Sequence, residues 1–357
     1  MDMKIARNAG GMMEELEKVG FDRKMAREAS FLAEDDFIKE IKKGKNVEIM
    51  PIEEAFKEYD LPKFLGKKDR YTKLVYEKRQ TGYFIRVPEG KHVTMPVQTA
   101  FLLKSDGFDQ ILHNVIVLEE NARLDMISGC MATAFNGLHA SITQYYLKKG
   151  SYLTYTMIHN WGRNVRVYPR SSAYLEENAT FISNYVALTP ARKIESMPVA
   201  ILERNAIARF YSILYARENS NFDVGAIAKL NGKGARSEII SRIIAQNAKV
   251  VSRGLIEGNA IQTKGHMECS GMVIGKGVIH TIPELKSSVD NVELSHEAAI
   301  GKLAEEQLNY LMARGIDEEE AKSLLIRGFL DVNIKGLPLH LNKAIARAID
   351  LMAMASI

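Results

Sequence analysis

The chain has 357 residues, 46% of them hydrophobic and 26% charged, which is enough apolar material for a large core or for several domains. Its 48 basic residues exceed its 44 acidic ones by only four, and no basic cluster stands out, so nucleic acid is not expected as the main partner. The two cysteines, Cys130 and Cys269, are too few for a disulfide framework or a four-thiolate zinc site within one chain. We therefore expect reduced thiols and a cytoplasmic protein. No apolar run approaches the ~20 residues that cross a bilayer, and the N-terminus lacks the apolar core of a signal peptide.

Residues 1–75 are predicted to form an N-terminal helical region. The segment PIEEAFKEYD, which begins at Pro51, carries a proline and two acidic residues where a helix would start, and both favour a helix N-terminus. Elsewhere in this region apolar residues recur at intervals of three and four, as on one face of a helix. They are Met12, Met13, Leu16, Val19, Phe31, Leu32, Phe37, Ile38 and Ile41.

Residues 76–291 are predicted to form a β core, because β-branched and aromatic runs alternate there with turn-forming residues. A repeat of apolar, polar, polar and turn residue followed by a new strand occurs at intervals of 27 to 29 positions. Asn and Gly adopt positive φ most easily, so a tight corner is expected once in each repeat. The corner positions are Asn121, Gly150, Asn178, Asn205 and Gly234, and then Asn247 and Asn259 at about half the interval.

A fixed period of strands and corners indicates a β-solenoid or parallel β-helix, in which each coil buries its inner face against its neighbours. The alternative from periodicity alone is a β-sandwich with regularly spaced hairpins. The absence of a strict hexapeptide code leaves that alternative open.

Residues 292–357 are predicted to form a C-terminal helical region. Ser295 precedes a helical pattern that would stop at Gly315, and Asp317 with Glu320 resembles a capping box for the next helix. A last helix is predicted to turn one apolar stripe toward the core of the protein. That stripe consists of Leu341, Ile345, Ile349 and Met352.

No phosphate loop, dinucleotide fingerprint, nucleophile elbow or HExxH pair occurs in the sequence, so a standard hydrolase or kinase site is not expected. The more informative segments are GHMECSG, which holds His266, Glu268 and Cys269, and LSHEAAIG, which holds His296 and Glu297. Thiolate, imidazole and carboxylate together suit a transition metal or an iron–sulfur cluster.

Each of these residues also has a purely structural interpretation. On a strand, His266 and Glu268 would share one face while Cys269 shares the other with Met267, so the three could not bind one metal without a bulge. Cys269 and Cys130 could be small buried hydrophobic residues. His296 could be a helix-start residue beside Ser295, and Glu297 could complement the helix dipole; these interpretations stay open at this point.

Two long segments resemble the SufB/SufD family, the scaffold subunits of the Suf iron–sulfur cluster assembly machinery. The first is VELSHEAAIGKLAEEQLNYLMARGIDEEEAKSLLIRGFLDV, which is similar to the C-terminal signature of the family. The second is SGCMATAFNGLHASITQYYLKKGSYLTYTMIHNWGRNV, which is similar to its Cys-Thr-Ala-Pro region and the strand pair that ends in Asn-Trp. The resemblance covers the chain from about residue 45 onward and implies a right-handed parallel β-helix flanked by helices.

The resemblance also implies roles for single residues. Cys269 matches the cysteine that holds the nascent cluster in SufB-type chains, His296 matches the interface histidine, and Glu297 matches the glutamate after it. Cys130 matches the cysteine that receives sulfur. Two departures bear on the sulfur route: Cys130 is followed by Met-Ala-Thr rather than Thr-Ala-Pro, and His159 replaces the usual glutamine. The chain is also shorter than a typical bacterial SufB.

The implied function is a scaffold that builds a transient [4Fe-4S] or [2Fe-2S] cluster at a dimer interface. The implied partners are a SufC-type ABC ATPase docked on the C-terminal helices, a sulfur donor protein, and either a second copy of this chain or a SufD-type chain. ATP hydrolysis would belong to the ATPase, so the chain itself is not expected to be an enzyme. The alternatives are a SufD-like structural adaptor without a cluster and an unrelated β-helix enzyme such as a polysaccharide lyase, for which no repeated carboxylate or basic cluster is found.

Overall fold

A computed structural model describes residues 14–330 together with Lys343, Ile345, Ala346 and Ile349. This part of the chain is 54% β and forms a β-solenoid of about eight turns, with a few short helices at its N- and C-terminal ends. The fold predicted from the repeat is therefore confirmed. The sandwich alternative is wrong, because the strands of successive coils pair in parallel.

Twenty strands are named in the described residues, and each coil contributes one to each of two long sheets. Their bounds are β1 Ala29–Glu34, β2 Phe37–Lys42, β3 Glu48–Pro51, β4 Tyr83–Val87, β5 Val97–Leu103, β6 Asp109–Leu118, β7 Arg123–Ala132, β8 Asn136–Leu147, β9 Tyr152–Asn160, β10 Asn164–Leu175, β11 Thr180–Ala187, β12 Lys193–Ser196, β13 Val199–Leu202, β14 Ile207–Arg217, β15 Asn221–Leu230, β16 Arg236–Gln246, β17 Lys249–Gly258, β18 Thr263–Ile274, β19 Val278–Ser287 and β20 Val292–Lys302.

The first sheet runs in the order β2-β1-β5-β7-β9-β11-β14-β16-β18-β20, and the second in the order β19-β17-β15-β12-β10-β8-β6-β4-β3 with β13 beside β10 and β15. From β7 onward the pairing is in register from coil to coil. Thr180 pairs with Ile207, Ile207 with Arg236 and Arg236 with Lys264. Residues one period apart therefore lie side by side on the same face of a sheet.

The corners are held by residues with positive φ. Asn121, Gly150, Asn178, Asn205 and Gly234 all have positive φ, as predicted, and Gln262 and Asn291 continue this series. Asn247 belongs to a second corner of each coil, together with Asn219 and Gly275. Asn259 was predicted wrongly, since it is outside the positive-φ set and its side chain instead donates to Asn231 Oδ1 at 2.9 Å. Each coil has two corners, and this is why the interval between predicted corner residues falls to about half a period at Asn247.

One continuous apolar core fills the inside of the solenoid from Ala29 to Cys269. Inner-facing side chains of both sheets alternate with outer-facing ones, as along β15, whose residues are buried and part-exposed in strict turn. The outer faces are covered locally by smaller apolar clusters under the terminal segments. No helix in the described ranges is long and apolar enough to cross a membrane.

The helix predicted across Phe31 to Ile41 is wrong. These residues form β1 and β2, an antiparallel hairpin whose turn is made by Asp35 at φ 53°. Phe31 faces inward and packs against Tyr83 and Phe101, at ring distances of 5.6 and 5.7 Å. The hairpin caps the first coil, so tertiary packing overrides the local spacing of apolar residues. Met12 and Met13 lie outside the described residues, while residues 14–18, including Leu16, are helical.

Two helices between β3 and β4 confirm part of the N-terminal prediction. Ile52–Glu58 (α1) follows Pro51 and carries Glu53 and Glu54 in its first turn. Arg70–Lys78 (α2) begins at Asp69, whose carboxylate accepts from the backbone N–H of Thr72 and closes a capping box. Both helices pack on the outer face of the second sheet.

The helix predicted to start after Ser295 is also wrong, because residues 292–302 form β20 and pair in parallel with β18. The first C-terminal helix is Glu305–Ala313 (α3), and Gly315 at φ 89° follows it as predicted. The next is Glu318–Leu330 (α4), whose Glu320 N–H donates to Asp317 Oδ1 at 2.9 Å. The division at residues 75 and 291 stays a prediction, although strands extend past both boundaries.

The C-terminal apolar stripe packs on the protein, as predicted, at the two positions that are described. Ile345 and Ile349 are helical and buried, and with Ile326 and Leu330 of α4 they join the cluster on the outer face of the first sheet. Leu341 and Met352 lie outside the described residues.

Substitution at a corner tests the backbone requirement. Asn205 is exposed and has φ 55°, so its side chain contributes little burial while its backbone must be left-handed. Asn205→Val should lower the free energy of unfolding by about 1–2 kcal/mol, and Asn205→Gly should leave it nearly unchanged. Denaturant titration measures both. Asn221→Val, at an exposed strand position, is the control, and an equal loss there would contradict the explanation.

Candidate functional site

Cys269 lies inside the solenoid, one coil from its open end. It is on the inner face of β18, where Ser241 of β16 and Ala298 of β20 flank it in register. Its side chain is 8% exposed, and its Sγ donates to the Ser252 Oγ across the interior at 3.6 Å. The predicted sharing of faces is confirmed, since Met267 is buried with Cys269 whereas His266 and Glu268 face outward.

Burial raises the pKa of the Cys269 thiol, because the interior disfavours the charged thiolate. The Ser252 hydroxyl accepts a hydrogen bond from the thiol but can rotate to donate one to the thiolate, so it and the positive charge of Arg242 act in the opposite direction, while Glu268 adds to the increase. The thiol is therefore held mostly protonated but lies beside groups that would stabilise a thiolate. A metal ion at this position would displace the proton.

A narrow pocket of about 10 Å³, room for about one water molecule, lies beside Cys269, and small side chains form part of its wall. Ser241, Ser252, Gly254 and Ala298 leave this room, since none of them carries a bulky group. Thr281 and Pro283 of β19 close it on the opposite sheet. The last coil thus covers a small polar and apolar chamber that contains a single thiol.

His296 lies on β20, the last strand of the first sheet, as the register partner of Met267. Register partners in a parallel pair point to the same side, so His296 faces the interior, on the side that holds Cys269. It is nevertheless exposed, because no further coil covers β20 within the described residues. The helix-start interpretation of His296 is wrong, since strand β20 runs through it.

Glu297 faces the other way. It is the register partner of Glu268 on the outer face, and it is exposed. Glu268 is paired with Arg242 at 2.7 Å, so one of two adjacent carboxylates is neutralised. Glu297 was predicted to stand in the first turn of a helix, which is wrong for the same reason as for His296. The chain brings Cys269 and His296 to one side of the sheet and leaves Glu297 on the opposite side.

Within the described ranges, no group of three or more His, Cys, Asp or Glu side chains is arranged to hold a metal ion. As metal ligands, Cys269 and His296 of one chain would thus form an incomplete set. A complete set needs ligands from another molecule or a rearrangement of the last coil.

Cys130 lies far from this site. It is on the inner face of β7, 1% exposed, with its Sγ 3.7 Å from the Met157 Sδ. Five strand steps of about 4.8 Å along the first sheet put roughly 24 Å between the coils of Cys130 and Cys269. Burial raises the pKa of the Cys130 thiol far above its ordinary value. Its register partner is His159, whose Nδ1 is 3.0 Å from the Tyr185 hydroxyl.

Sequence reasoning missed Ser252 and Arg242 as neighbours of Cys269. Arg242 could have been found, because it lies one position after Ser241, which is one 28-residue period before Cys269. Ser252 lies on the other sheet, 17 positions before Cys269. Its position depends on how the coil folds back between β17 and β18, and no local pattern encodes that.

The thiol hydrogen bond gives a direct prediction. In a Cys130→Ser background, Ser252→Ala should raise the pKa of Cys269 further and slow its alkylation several-fold at mildly alkaline pH. The reason is that the thiolate is the reactive form and loses its hydrogen-bond donor. Ser241→Ala, in the same column but not the partner of the thiol, is the matched control. An alkylation rate that is equal in the two variants would contradict the assignment to Ser252.

Comparison with known proteins agrees with the resemblance found in the sequence. Residues 101–329 match the family model described as "SUF system FeS cluster assembly, SufBD core domain". An iron–sulfur cluster assembly SufBD family protein of Archaeoglobus fulgidus is 41% identical over 348 residues, which cover 95% of this chain and 94% of that protein. A SufBD family protein of Pyrococcus horikoshii is 31% identical over 318 residues, covering 86% of this chain and 71% of the relative.

The iron–sulfur cluster assembly protein SufB of Bacillus subtilis is 34% identical over 268 residues, covering 72% of this chain and 57% of SufB. The match to the core domain spans the solenoid from β5 onward and includes both cysteines. By its fold, its core domain and its relatives, the chain belongs to the SufBD family of iron–sulfur cluster assembly proteins.

Proposed function

We propose that this chain is a scaffold on which a nascent iron–sulfur cluster is assembled at the open end of the solenoid. The observation that carries the proposal is the position of Cys269, one coil from the open end and on the same side as His296, beside a narrow pocket lined in part by small side chains. Thiolate is the preferred ligand of iron in such clusters, and imidazole is a borderline ligand that also binds iron. The cluster is cargo here, so an incomplete ligand set in one chain suits a site that must release it.

The missing ligands come from a second chain. β19 and β20 end their sheets, and their outer backbone edges have no strand partner in the described part of the chain. Unpaired edges favour pairing with another chain, and Ile300 beside the site is 42% exposed. A symmetric dimer through this end would bring together two copies each of Cys269 and His296, with the two Glu297 carboxylates at the outer margin of the same interface. A SufD-type partner in place of the second copy would supply the histidine and fewer thiolates.

Cys130 is the proposed acceptor of sulfur. Its thiolate would attack the terminal sulfur of a persulfide on the donor, the sulfur–sulfur bond of the donor would break, and the donor thiol would take the proton that Cys130 loses. The new persulfide on Cys130 then holds sulfur inside the solenoid. The burial of Cys130 means that the donor sulfur must be brought into the interior.

The ATPase partner would dock on the C-terminal helices. On α3, Tyr310 and Met312 are 59% and 40% exposed, and that helix buries none of its residues. The helix follows directly on β20, so a force on α3 reaches the strand that carries His296. Nucleotide binding could open the last coil only if the ATPase has different affinities for the open and closed forms.

A SufD-like adaptor that shapes the complex without holding a cluster is the second candidate. The observation that favours it is the burial of Cys269 and the raised pKa of its thiol. Loading with iron and sulfide distinguishes the two functions.

The first prediction concerns iron loading. After anaerobic reconstitution with ferrous iron and sulfide, Cys269→Ala should lose most of the bound iron and visible absorbance, and His296→Ala and Glu297→Gln should lose part. The matched controls are His266→Ala and Glu293→Gln, which remove the same groups from outer-face positions of β18 and β20. Iron in Cys269→Ala equal to that of the unaltered protein would favour the adaptor.

The second prediction concerns ATPase docking. Tyr310→Ala with Met312→Asp should abolish binding of a SufC-type ATPase in a pull-down, because both side chains are exposed and no apolar core is opened by the change. Phe37→Asp, at an exposed position of β2 at the opposite end of the first sheet, is the control for a nonspecific effect of charge. Undiminished binding by the double variant would refute the proposed docking surface.

A further inference from the structure

The hydrogen-bond ladder of the second sheet has a gap in the middle of the solenoid. β12 and β13 pair with β10 in the same register, but the pairs stop at Val167 and resume at Ser172. On the other side, pairing with β15 stops at Val224 and resumes at Ile227. Met197 and Pro198, between the two short strands, are therefore outside both ladders, although the Pro198 carbonyl still accepts from the Ile227 N–H at 2.8 Å on the β15 side.

Two prolines account for the gap. Pro169 lies in the part of β10 that has no partner in β12 or β13, and Pro198 lies between β12 and β13. Proline has no N–H to donate, and in a central strand it removes a ladder hydrogen bond. Continued across the gap, the register puts Pro169 opposite Ser196 and Pro198 opposite Ser171, so both prolines lie where the ladder is interrupted.

A buried arginine closes the gap. Arg170 Nη1 donates to the backbone carbonyl of Glu195 at 2.7 Å and to that of Pro169 at 3.2 Å. Its Nε and Nη2 donate to the Asp69 carboxylate at 3.0 and 2.8 Å, and Nη2 also donates to the Glu195 carboxylate at 2.8 Å. The side chain of Arg170 is only 2% exposed. One guanidinium group therefore joins both sides of the gap to a residue outside the sheet.

That residue, Asp69, is the N-cap of α2, so the helix is held across the gap from outside. Tyr71 of α2 stacks on Tyr168 at 3.8 Å and lies 5.3 Å from the Arg170 guanidinium carbon. Partial burial opposes ionisation of Asp69, but Arg170 and the backbone N–H groups of α2 outweigh it and lower the pKa of its carboxyl group. The contact is thus an ion pair at neutral pH.

Directly inside the gap lies a cavity of about 60 Å³. Pro169, Ser171, Ser196 and Pro198 form its wall at the gap, and all four retain accessible surface, in contrast to the buried Val167. The rest of the lining is rich in hydroxyl and imidazole groups, from His139, Ser141, Thr143, Tyr145, Tyr155, His159, Ser183 and Tyr185. Such groups can donate hydrogen bonds to a small anion.

Two observations connect this cavity to chemistry. The Tyr155 hydroxyl is buried and makes no hydrogen bond of ordinary geometry within the described residues, although Ser128 and Tyr145 lie near it. Met157, which lines the cavity, contacts Cys130 Sγ through its own sulfur at 3.7 Å. A solute in the cavity would therefore find an unused donor and would lie one side chain away from a thiol.

We propose that the gap between β10 and the β12–β13 segment is a lateral entrance to the interior, closed by α2 and latched by Arg170. Its cargo is anionic persulfide sulfur, and this part of the inference rests on the proposed function of Cys130. Release of Asp69 frees the N-terminal end of α2, and β10 then separates from the β12–β13 segment between Val167 and Ser172, where no strand pairing joins them. Sulfur enters from the side of the solenoid, far from the open end where Cys269 lies.

The test follows the modification of Cys130 by methyl methanethiosulfonate in a Cys269→Ser background. Asp69→Asn should accelerate the reaction several-fold, because the latch loses its ion pair. Ser196→Phe should slow it, because a bulky inner-facing side chain fills the entrance. Asp223→Asn is the matched control, since it breaks the ion pair with Arg253 at 2.6 Å on neighbouring strands of the same sheet. Slower labelling in Ser196→Phe cannot result from unfolding, so the entrance remains testable even if Asp69→Asn is unstable.

Equal rates in Asp69→Asn and Asp223→Asn, with no effect of Ser196→Phe, would overturn the entrance. Slower labelling in Ala298→Trp instead would show that solutes enter at the open end. A parallel reaction with a bulky polyethylene glycol maleimide tests the size of the solute that can reach Cys130. A small sulfur carrier must pass the entrance as a free solute, so it requires only the small reagent to react. These rates are independent of iron loading at Cys269, so failure here would leave the scaffold function standing.

Discussion

In-register parallel pairing with a period of about 28 residues is the constraint on which the rest of the structure depends. It places residues one coil apart in a column on the same face, as with Ser241, Cys269 and Ala298. The side chains of each inner column must then pack against the residues at the same position in the adjacent coils. Each corner residue must also tolerate positive φ. The same constraint decides which functional residues can meet, since a side chain can reach only its own face.

The ladder must also end, and its end differs chemically from its middle. Each inner coil has a neighbour on both sides, whereas in the part of the chain that the structure describes β19 and β20 have a neighbouring strand on one side only. His296 is exposed for that reason, although it faces the same side as buried residues of β18. In the proposed dimer, a second chain covers this end and completes the ligand set, so binding and release of the cluster follow from closing and opening one interface.

The middle of the ladder has the opposite requirement, because a closed wall isolates its interior from solvent. Cys130 is buried there, and its thiol has a raised pKa. Pro169 and Pro198 interrupt the wall. The sheet stays folded there because Arg170 donates to the carbonyl of Glu195, which the ladder leaves free. A local break in an otherwise regular sheet is the kind of feature that marks function rather than stability.

The sequence predicts much of this architecture because each repeat in the sequence corresponds to one coil of the solenoid. Asn121, Asn178 and Asn205 identify the corners from residue type alone, and the alternation around Cys269 correctly separates its face from that of Glu268. The predictions of secondary structure are wrong at the two terminal coils. Phe31 and His296 lie in segments whose apolar spacing suits a helix, yet both pair with strands that are distant in sequence or one period away.

Contacts across the interior could not be predicted for a different reason. Ser252 reaches Cys269 from the other sheet, and Asp69 reaches Arg170 from 101 positions away. Neither pair has a sequence signature, because the alignment of the two sheets depends on the summed lengths of the corners. The contact between Asp69 at the start of α2 and Arg170 of β10 became visible only in the folded structure.

Native mass spectrometry of the protein after anaerobic reconstitution tests the central claim most directly, because it reports cluster mass and chain number together. If Cys269 and His296 of two chains hold the cluster at the open end, the added iron and sulfide should be found on dimers of the chain and be absent from monomers. A cluster of the same mass on single chains would contradict the account.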